Sequence, residues 1–159
     1  MCCSKLSGRF RGDRGFTMAE LMVTLGLISI LAAIAVPNYL AFQPGQRLNG
    51  GAREVLGKLR WARAQAVEEN ATYIVSFLNN HTLRIFNDTD LDGTWDIGEW
   101  KDDIDLQLNY SDVTFTPTGN DPKFTGRGTV STGTTTITIT NSSGSKQVEV
   151  TPTGNVKIN

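Results

Sequence analysis

The chain has 159 residues, enough for one domain or one domain with an appendage, and 39% of them are hydrophobic and 19% charged, which excludes a disordered chain and a coiled coil. A net charge of −1 hides an asymmetry: Lys5, Arg9, Arg11 and Arg14 face only Asp13 in residues 1–15, whereas acidic residues outnumber basic ones afterwards, so nothing favours general nucleic-acid binding. His81 is the one histidine, and Cys2 and Cys3 lie at the very start, which leaves no material for a Cys/His zinc site, a Cys–His protease or a disulfide scaffold.

Residues 16–36, FTMAELMVTLGLISILAAIAV, carry a single charge, Glu20. As a helix they span about 32 Å, the thickness of a bilayer's hydrocarbon core. The basic stretch before them predicts a cytoplasmic N-terminus, with the rest emerging on the far side. Three kinds of segment share this outline: a secretory signal peptide cut near Ala33-Ile34-Ala35, a plain signal anchor, and a leader cut before the apolar stretch. Arg14-Gly15-Phe16-Thr17-Met18-Ala19-Glu20 points to the third. Gly15 lets a protease reach the backbone at the membrane face. A carboxylate inside an apolar helix costs about 2.5–3.5 kcal/mol or more, so Glu20 needs a partner. In a polymer of helices it has one, the new N-terminal ammonium of a neighbouring subunit. Ala33-Ile34-Ala35 then supplies small residues for close helix packing.

GFTMAELMVTLGLISILAAIAVPNY resembles the N-terminus of type IV pilins and type II secretion pseudopilins over about 25 contiguous residues, with Met18 standing where Leu is commoner. The resemblance implies cleavage after Gly15 by a prepilin peptidase and N-methylation of Phe16. It also implies use of Glu20 in subunit docking, and a helix that passes Pro37. Residues 1–15 are then a cytoplasmic leader, which takes both cysteines with it, and 16–36 a transmembrane and filament-core helix.

Pro37 is expected to kink or loosen the helix. Pro44-Gly45 and Gly50-Gly51 are stronger breakers, and the segment between them stays open between helix and unwound chain. From Arg53 to Glu69 helical signals return. Val55, Leu59, Ala62 and Ala66 mark one face, widened by Leu56 and Val67, while Arg53, Lys58, Arg60 and Arg63 lie mostly elsewhere, on a solvated face or a docking surface. Residues 37–69 are thus a continuing amphipathic helix with these breakers inside it.

Residues 70–159 read as an extracytoplasmic β-domain. Tyr73–Leu78, Asn79-Asn80 and Thr82–Phe86 form a hairpin. Further strands are expected at Ile104–Leu108, Val113–Thr116, Thr134–Thr140, Gln147–Thr151 and Val156–Ile158. The fold class is α+β, pilin-like: a long N-terminal helix packed on a small antiparallel β-sheet domain. The helix of Leu59, Ala62-Arg63 and Ala66, the Tyr73–Phe86 hairpin, Phe86-Asn87-Asp88, Phe124-Thr125-Gly126-Arg127-Gly128 and Gly154-Asn155-Val156-Lys157-Ile158 occur in the order seen in the GspH/FimT group. The chain is similar to these minor pseudopilins and minor pilins. That similarity implies a low-abundance subunit that primes or caps a pilus or pseudopilus.

Residues 88–99, DTDLDGTWDIGE, have the spacing of an EF-hand loop. Asp88, Asp90, Asp92, Thr94, Asp96 and Glu99 occupy positions 1, 3, 5, 7, 9 and 12, and Gly93 the turn at 6. A structural Ca2+ is expected there, against the alternative of a solvated acidic turn. Strands rather than helices flank the loop. Asp102, Asp103 and Asp105 read as a solvated strand entrance, His81 as an exposed turn residue, and Gly126-Arg127-Gly128 as a bulge or turn. Trp61, Trp95 and Trp100 form either a sticky patch or, for the last two, the packing of the acidic loop onto the sheet. The acidic cluster lacks any feature of a glycosidase pair.

No enzyme activity is expected. The expected partners are other major and minor pilins or pseudopilins, a prepilin peptidase, the inner membrane, and a secreted substrate or tip ligand. The expected location is the bacterial inner membrane, single-pass with the globular domain periplasmic, and then a pilus or pseudopilus. An adhesin or DNA-uptake receptor on the same anchor is the alternative function, which a basic surface cluster would favour. DNA itself is not an expected ligand, because Gly154–Ile158 carries one cation, Lys157.

Overall fold

The computed structural model describes residues 15–159, and the leader residues Cys2, Cys3, Lys5, Arg9, Arg11, Asp13 and Arg14 lie outside it. One helix, α1 (Met18–Glu68), is followed by eight strands: β1 (Tyr73–Phe77), β2 (Thr82–Asn87), β3 (Lys101–Asp105), β4 (Thr114–Thr118), β5 (Lys123–Phe124), β6 (Thr135–Asn141), β7 (Gly144–Val150) and β8 (Val156–Ile158). The chain divides into two units, one ending at Leu40 and one spanning Ala41–Asn159.

In the first unit, Thr17 caps α1. Its hydroxyl accepts from the Glu20 N–H at 3.2 Å and its carbonyl from the Leu21 N–H at 3.1 Å. Thr17-Met18-Ala19-Glu20 thus has the T-x-x-E pattern of a capping box. Every described residue of this unit is exposed, so an apolar helix stands here without a protein core around it.

In the second unit, α1 buries Leu48, Ala52, Val55, Leu59, Ala62 and Ala66, a stripe spaced alternately four and three residues apart as a helix face requires, with Gly51 buried beside it. Val55, Leu59, Ala62 and Ala66 are fully buried, as their spacing predicts, whereas Val67 is half exposed and does not widen the stripe. The helix passes Pro37, as the resemblance implies, and the expected breakers Pro44-Gly45 and Gly50-Gly51 do not interrupt it. The physical reason at Gly50 and Gly51 is close approach. A Cβ at Gly50 would overlap the Tyr110 ring, and one at Gly51 would lie 2.9 Å from Val113 Cγ1. At Pro44 the Asn141 side-chain amide donates to the carbonyl at 2.7 Å. The helix ends in a Schellman motif: Ala71 N–H bonds the Ala66 carbonyl and Asn70 N–H that of Val67, with Asn70 at φ 49°.

The strands form two four-stranded antiparallel sheets, ordered β3-β2-β1-β5 and β4-β6-β7-β8. Alternation along β6 places Ile137 and Ile139 in the core. The core combines the α1 stripe with Val75, Leu83, Ile85, Phe115, Phe124, Val148 and Val150. Phe77 of the first sheet meets Phe115 of the second edge-on, with centroids 5.3 Å apart. The expected hairpin forms, with Tyr73 opposite Asn87 and Phe77 opposite Leu83. The strand expected at Ile104–Leu108 lies earlier, at Lys101–Asp105, because Asp105 accepts from the Gln107 N–H and caps a short 3-10 helix over Leu106–Leu108. The two-residue strand β5 has no counterpart among the expected strands.

Candidate functional site

Two regions carry the candidate residues. At the N-terminus, nothing lies within 4 Å of a Cβ built on Gly15, Phe16 is 79% exposed, and Glu20 sits in the first turn of α1. Among the described residues, Gly15 and Phe16 therefore form an exposed, non-helical stretch immediately before the Thr17 cap. Glu20 makes no ion pair among the described residues. Pro37 is exposed within the helix. One helix in the described chain is long and apolar enough to cross a membrane.

The second region is the acidic loop between β2 and β3. It folds on its own side chains. Asp92 accepts from the Thr94 N–H and hydroxyl, and these bonds hold its carboxyl below the usual range. Glu99 reaches back to the Thr89 N–H at 2.7 Å and to the Asp96 N–H at 3.1 Å, and is lowered too. Asp88 Oδ1 accepts from the Gly93 N–H at 3.4 Å, and Gly93 takes φ 88°, the left-handed turn that the sixth position needs. Asp96 has the opposite fate: Asp92, then desolvation, then Asp90 and Glu99 push its carboxyl up.

The structure brings the predicted ligands together as two overlapping groups, Asp88–Asp90–Glu99 and Asp90–Asp92–Asp96, whose oxygens lie within 4.8 Å of one another. Thr94 is engaged with Asp92. Asp88 is 1% exposed, and Lys123 Nζ faces its Oδ2 at 2.5 Å. That oxygen has an ion-pair partner, although the angles are not those of a hydrogen bond. Lys123, on β5, is the residue that sequence reasoning missed. It lies far along the chain on a strand too short to show a pattern, and only the β1–β5 pairing brings it in.

Other expectations change. Asp102 pairs with Lys58 at 3.1 Å, Asp103 with Arg84 at 2.6 Å, and Asp105 with His81 at 3.0 Å, so these carboxylates are not a merely solvated entrance. Lys58 is thereby tied to β3, while Arg60 and Arg63 donate to the carbonyls of Val156 and Gly128, and none of the three simply points into water. Both Asp105 and Thr82 contact the same His81 nitrogen, Nδ1. A relay needs its acid and its nucleophile on opposite nitrogens, so the trio is a structural clasp. Trp100 packs on Trp61, with centroids 5.2 Å apart, and on Tyr73. Trp95 lies against Lys101 and Arg84 and donates to the Glu99 carbonyl, so it holds the acidic loop against β2 and β3. Gly128, at φ 76°, closes a turn in which its N–H donates to the Thr125 carbonyl, as expected.

Comparison with known proteins gives the family. Residues 51–154 match the type II transport protein GspH family, and residues 10–36 match the prokaryotic N-terminal methylation motif. The chain is 58% identical over 31 residues to the type IV major pilin protein PilA of Myxococcus xanthus, covering 20% of this chain and 14% of that protein. It is 33% identical over 66 residues to a fimbrial protein of Pseudomonas aeruginosa, covering 42% of each. The matches therefore span less than half the length of these relatives. Among solved structures, the type IV minor pilin FimU of Pseudomonas aeruginosa superposes with a TM-score of 0.60 at 19% identity, covering 74% of this chain and 92% of that one. The minor pseudopilin EpsH of Vibrio cholerae gives 0.55 at 13% identity, covering 71% and 96%. These likenesses support the pilin-like α+β fold already described. The chain belongs to the type II transport protein GspH family, and its residues 10–36 carry the prokaryotic N-terminal methylation motif.

Proposed function

We propose that this chain is a minor subunit that primes or caps a type IV pilus or a type II secretion pseudopilus. It would be held in the inner membrane by the apolar part of α1 before assembly, with its β-domain on the periplasmic side. The observation that carries this reading is the helix around Glu20. Met22, Leu25, Ile28, Leu31 and Ile34 are all more than half exposed, and the structure offers them no protein cover. A stripe of this size needs lipid or other helices. Cleavage after Gly15 would free the Phe16 ammonium, and in a bundle of such helices Glu20 of one subunit neutralises the ammonium of the next. The test is a Glu20→Ala variant expressed beside its partner subunits. It should insert in the membrane yet be lost from sheared filaments or pseudopili. Normal incorporation and function would remove the docking mechanism.

A second reading concerns the acidic loop. Two overlapping three-carboxylate groups and the raised Asp96 support a cation there, and oxygen ligands of this kind suit Ca2+. The ion would stiffen the loop and relieve the repulsion on Asp96. The Lys123 ammonium already neutralises Asp88, so the Asp90–Asp92–Asp96 group is the part left for the metal. Loops of this kind in extracellular modules bind at about 10⁻⁴–10⁻³ M. Ca2+ at ten times that dissociation constant should stabilise the β-domain by about 1.4 kcal/mol over EGTA. The gain should vanish in Asp90→Asn. An unchanged melting temperature would leave the loop metal-free.

A further inference from the structure

Eleven basic residues lie in the described chain, and six of them, Arg47, Lys58, Arg84, Lys101, Lys123 and Lys157, are ion-paired. Arg53, Arg60, Arg63, Arg127 and Lys146 are not, among the described residues. Three of these five line one groove of about 650 Å³: Arg60 and Arg63 from α1 and Arg127 from the turn after β5. Ala64, Val67 and Val156 supply its apolar surface.

The groove is built, not incidental. Arg63 Nε donates to the Gly128 carbonyl at 2.9 Å and an Arg60 terminal nitrogen to the Val156 carbonyl at 3.0 Å. Each guanidinium is held by one bond and keeps further N–H groups for a ligand. Gly154, at φ 79°, lets the backbone press against this support, because a Cβ there would overlap the Gly128 carbonyl oxygen and crowd Arg63 Nε. The two glycine motifs of the C-terminal third therefore meet behind one arginine.

The complementary surface is on the same molecule. The acidic loop exposes Asp90, Asp92 and Asp96, none of them ion-paired among the described residues, and interleaves them with Leu91, 65% exposed, and Ile97, 97% exposed. Charge and apolar surface alternate on the loop as they do in the groove. Within one copy, no ion pair among the described residues joins the two. We propose that the Arg60–Arg63–Arg127 groove seats the acidic loop of a second copy of this chain. Ile97 would lie on Ala64 and Val67, and the carboxylates of the metal-free loop would accept from the guanidiniums. A groove on one face and its complement elsewhere make a head-to-tail contact between two copies. A nucleic acid is disfavoured, since three cations beside Glu68 give few phosphate contacts and a shallow salt dependence.

The contact goes beyond the priming reading and does not depend on it. The test uses the full chain in detergent with EDTA, with Cys2 and Cys3 replaced by serine. A Val67→Cys chain is mixed with an Ile97→Cys chain of different tag length and mildly oxidised. The mixed disulfide should form well above the level of a control pair, Lys146→Cys with Ile97→Cys. Adding Arg127→Glu to the Val67→Cys chain should lower the yield about threefold or more. Arg127 is exposed, so this change spares the fold. A yield equal to the control, or one indifferent to Arg127→Glu, overturns the proposal. So does a short single-stranded oligonucleotide that binds the chain and abolishes the cross-link, for it assigns the groove to nucleic acid. Any of these failures leaves the Glu20 experiment unaffected.

Discussion

Arg47 and Asp112 show how single residues tie α1 to the strands. Arg47 donates to both Asp112 oxygens, at 2.6 and 3.3 Å, and Asn141 adds a third bond at 3.2 Å. The Arg47 hydrogen bond is the main cause that holds the Asp112 carboxyl below its usual range. A carboxyl lowered in the folded state contributes stability that is complete above its unfolded pKa and lost as pH falls through the folded one. Asp112→Asn should therefore lower the melting temperature at pH 7, by the equivalent of about 1 kcal/mol or less for a partly exposed pair, and the difference from the parent should close in acid. Asp96 has the reverse sign. Its carboxyl is raised, so its contribution is present at low pH and lost as pH rises through the folded value. Asp96→Asn should raise the melting temperature of the metal-free protein at pH 7 and leave it unchanged near pH 3. Melting curves of both variants at the two pH values check the signs together.

At the scale of the element, the helix separates what a sequence announces from what only packing decides. Val55, Leu59, Ala62 and Ala66 announce themselves by period, and they are fully buried. The hairpin and the Thr-Ile alternation of β6 announce themselves in the same way. Gly50-Gly51 has the composition of a break, yet it is a place where Tyr110 and Val113 come close, a contact no local pattern encodes. The same holds for Lys123 and for the anchoring of Arg63, both made between residues distant in sequence. The acidic loop's spacing was legible, but the cation that faces Asp88 was not. Three substitutions measure the difference. Gly57 is an exposed helical glycine with nothing near its Cβ position, so Gly57→Ala should stabilise the fold by about 0.5–1 kcal/mol. Gly154→Ala meets both a positive φ and the Gly128 carbonyl, and should cost about 2 kcal/mol or more. Leu59→Ala, in the middle of the buried stripe, should cost about 2–5 kcal/mol. Denaturant midpoints order the three.

For the whole molecule, the two units answer to different solvents. Residues Ala41–Asn159 carry a core of their own and surface carboxylates tied to neighbouring cations, as a water-facing domain does. The unit ending at Leu40 has an apolar helix exposed on every side, stable only in lipid or among other helices. Under the proposed function such a chain would belong first to a membrane and then to an assembly, with a cut at Gly15-Phe16 as the step between. The account therefore stands on where the mature chain begins. Intact mass and N-terminal sequence of the protein extracted from membranes test it most directly. A chain beginning at N-methylated Phe16 is the result predicted. A chain beginning at Val36 would be an ordinary secreted β-domain, and the filament role assigned to Glu20 would fall with it.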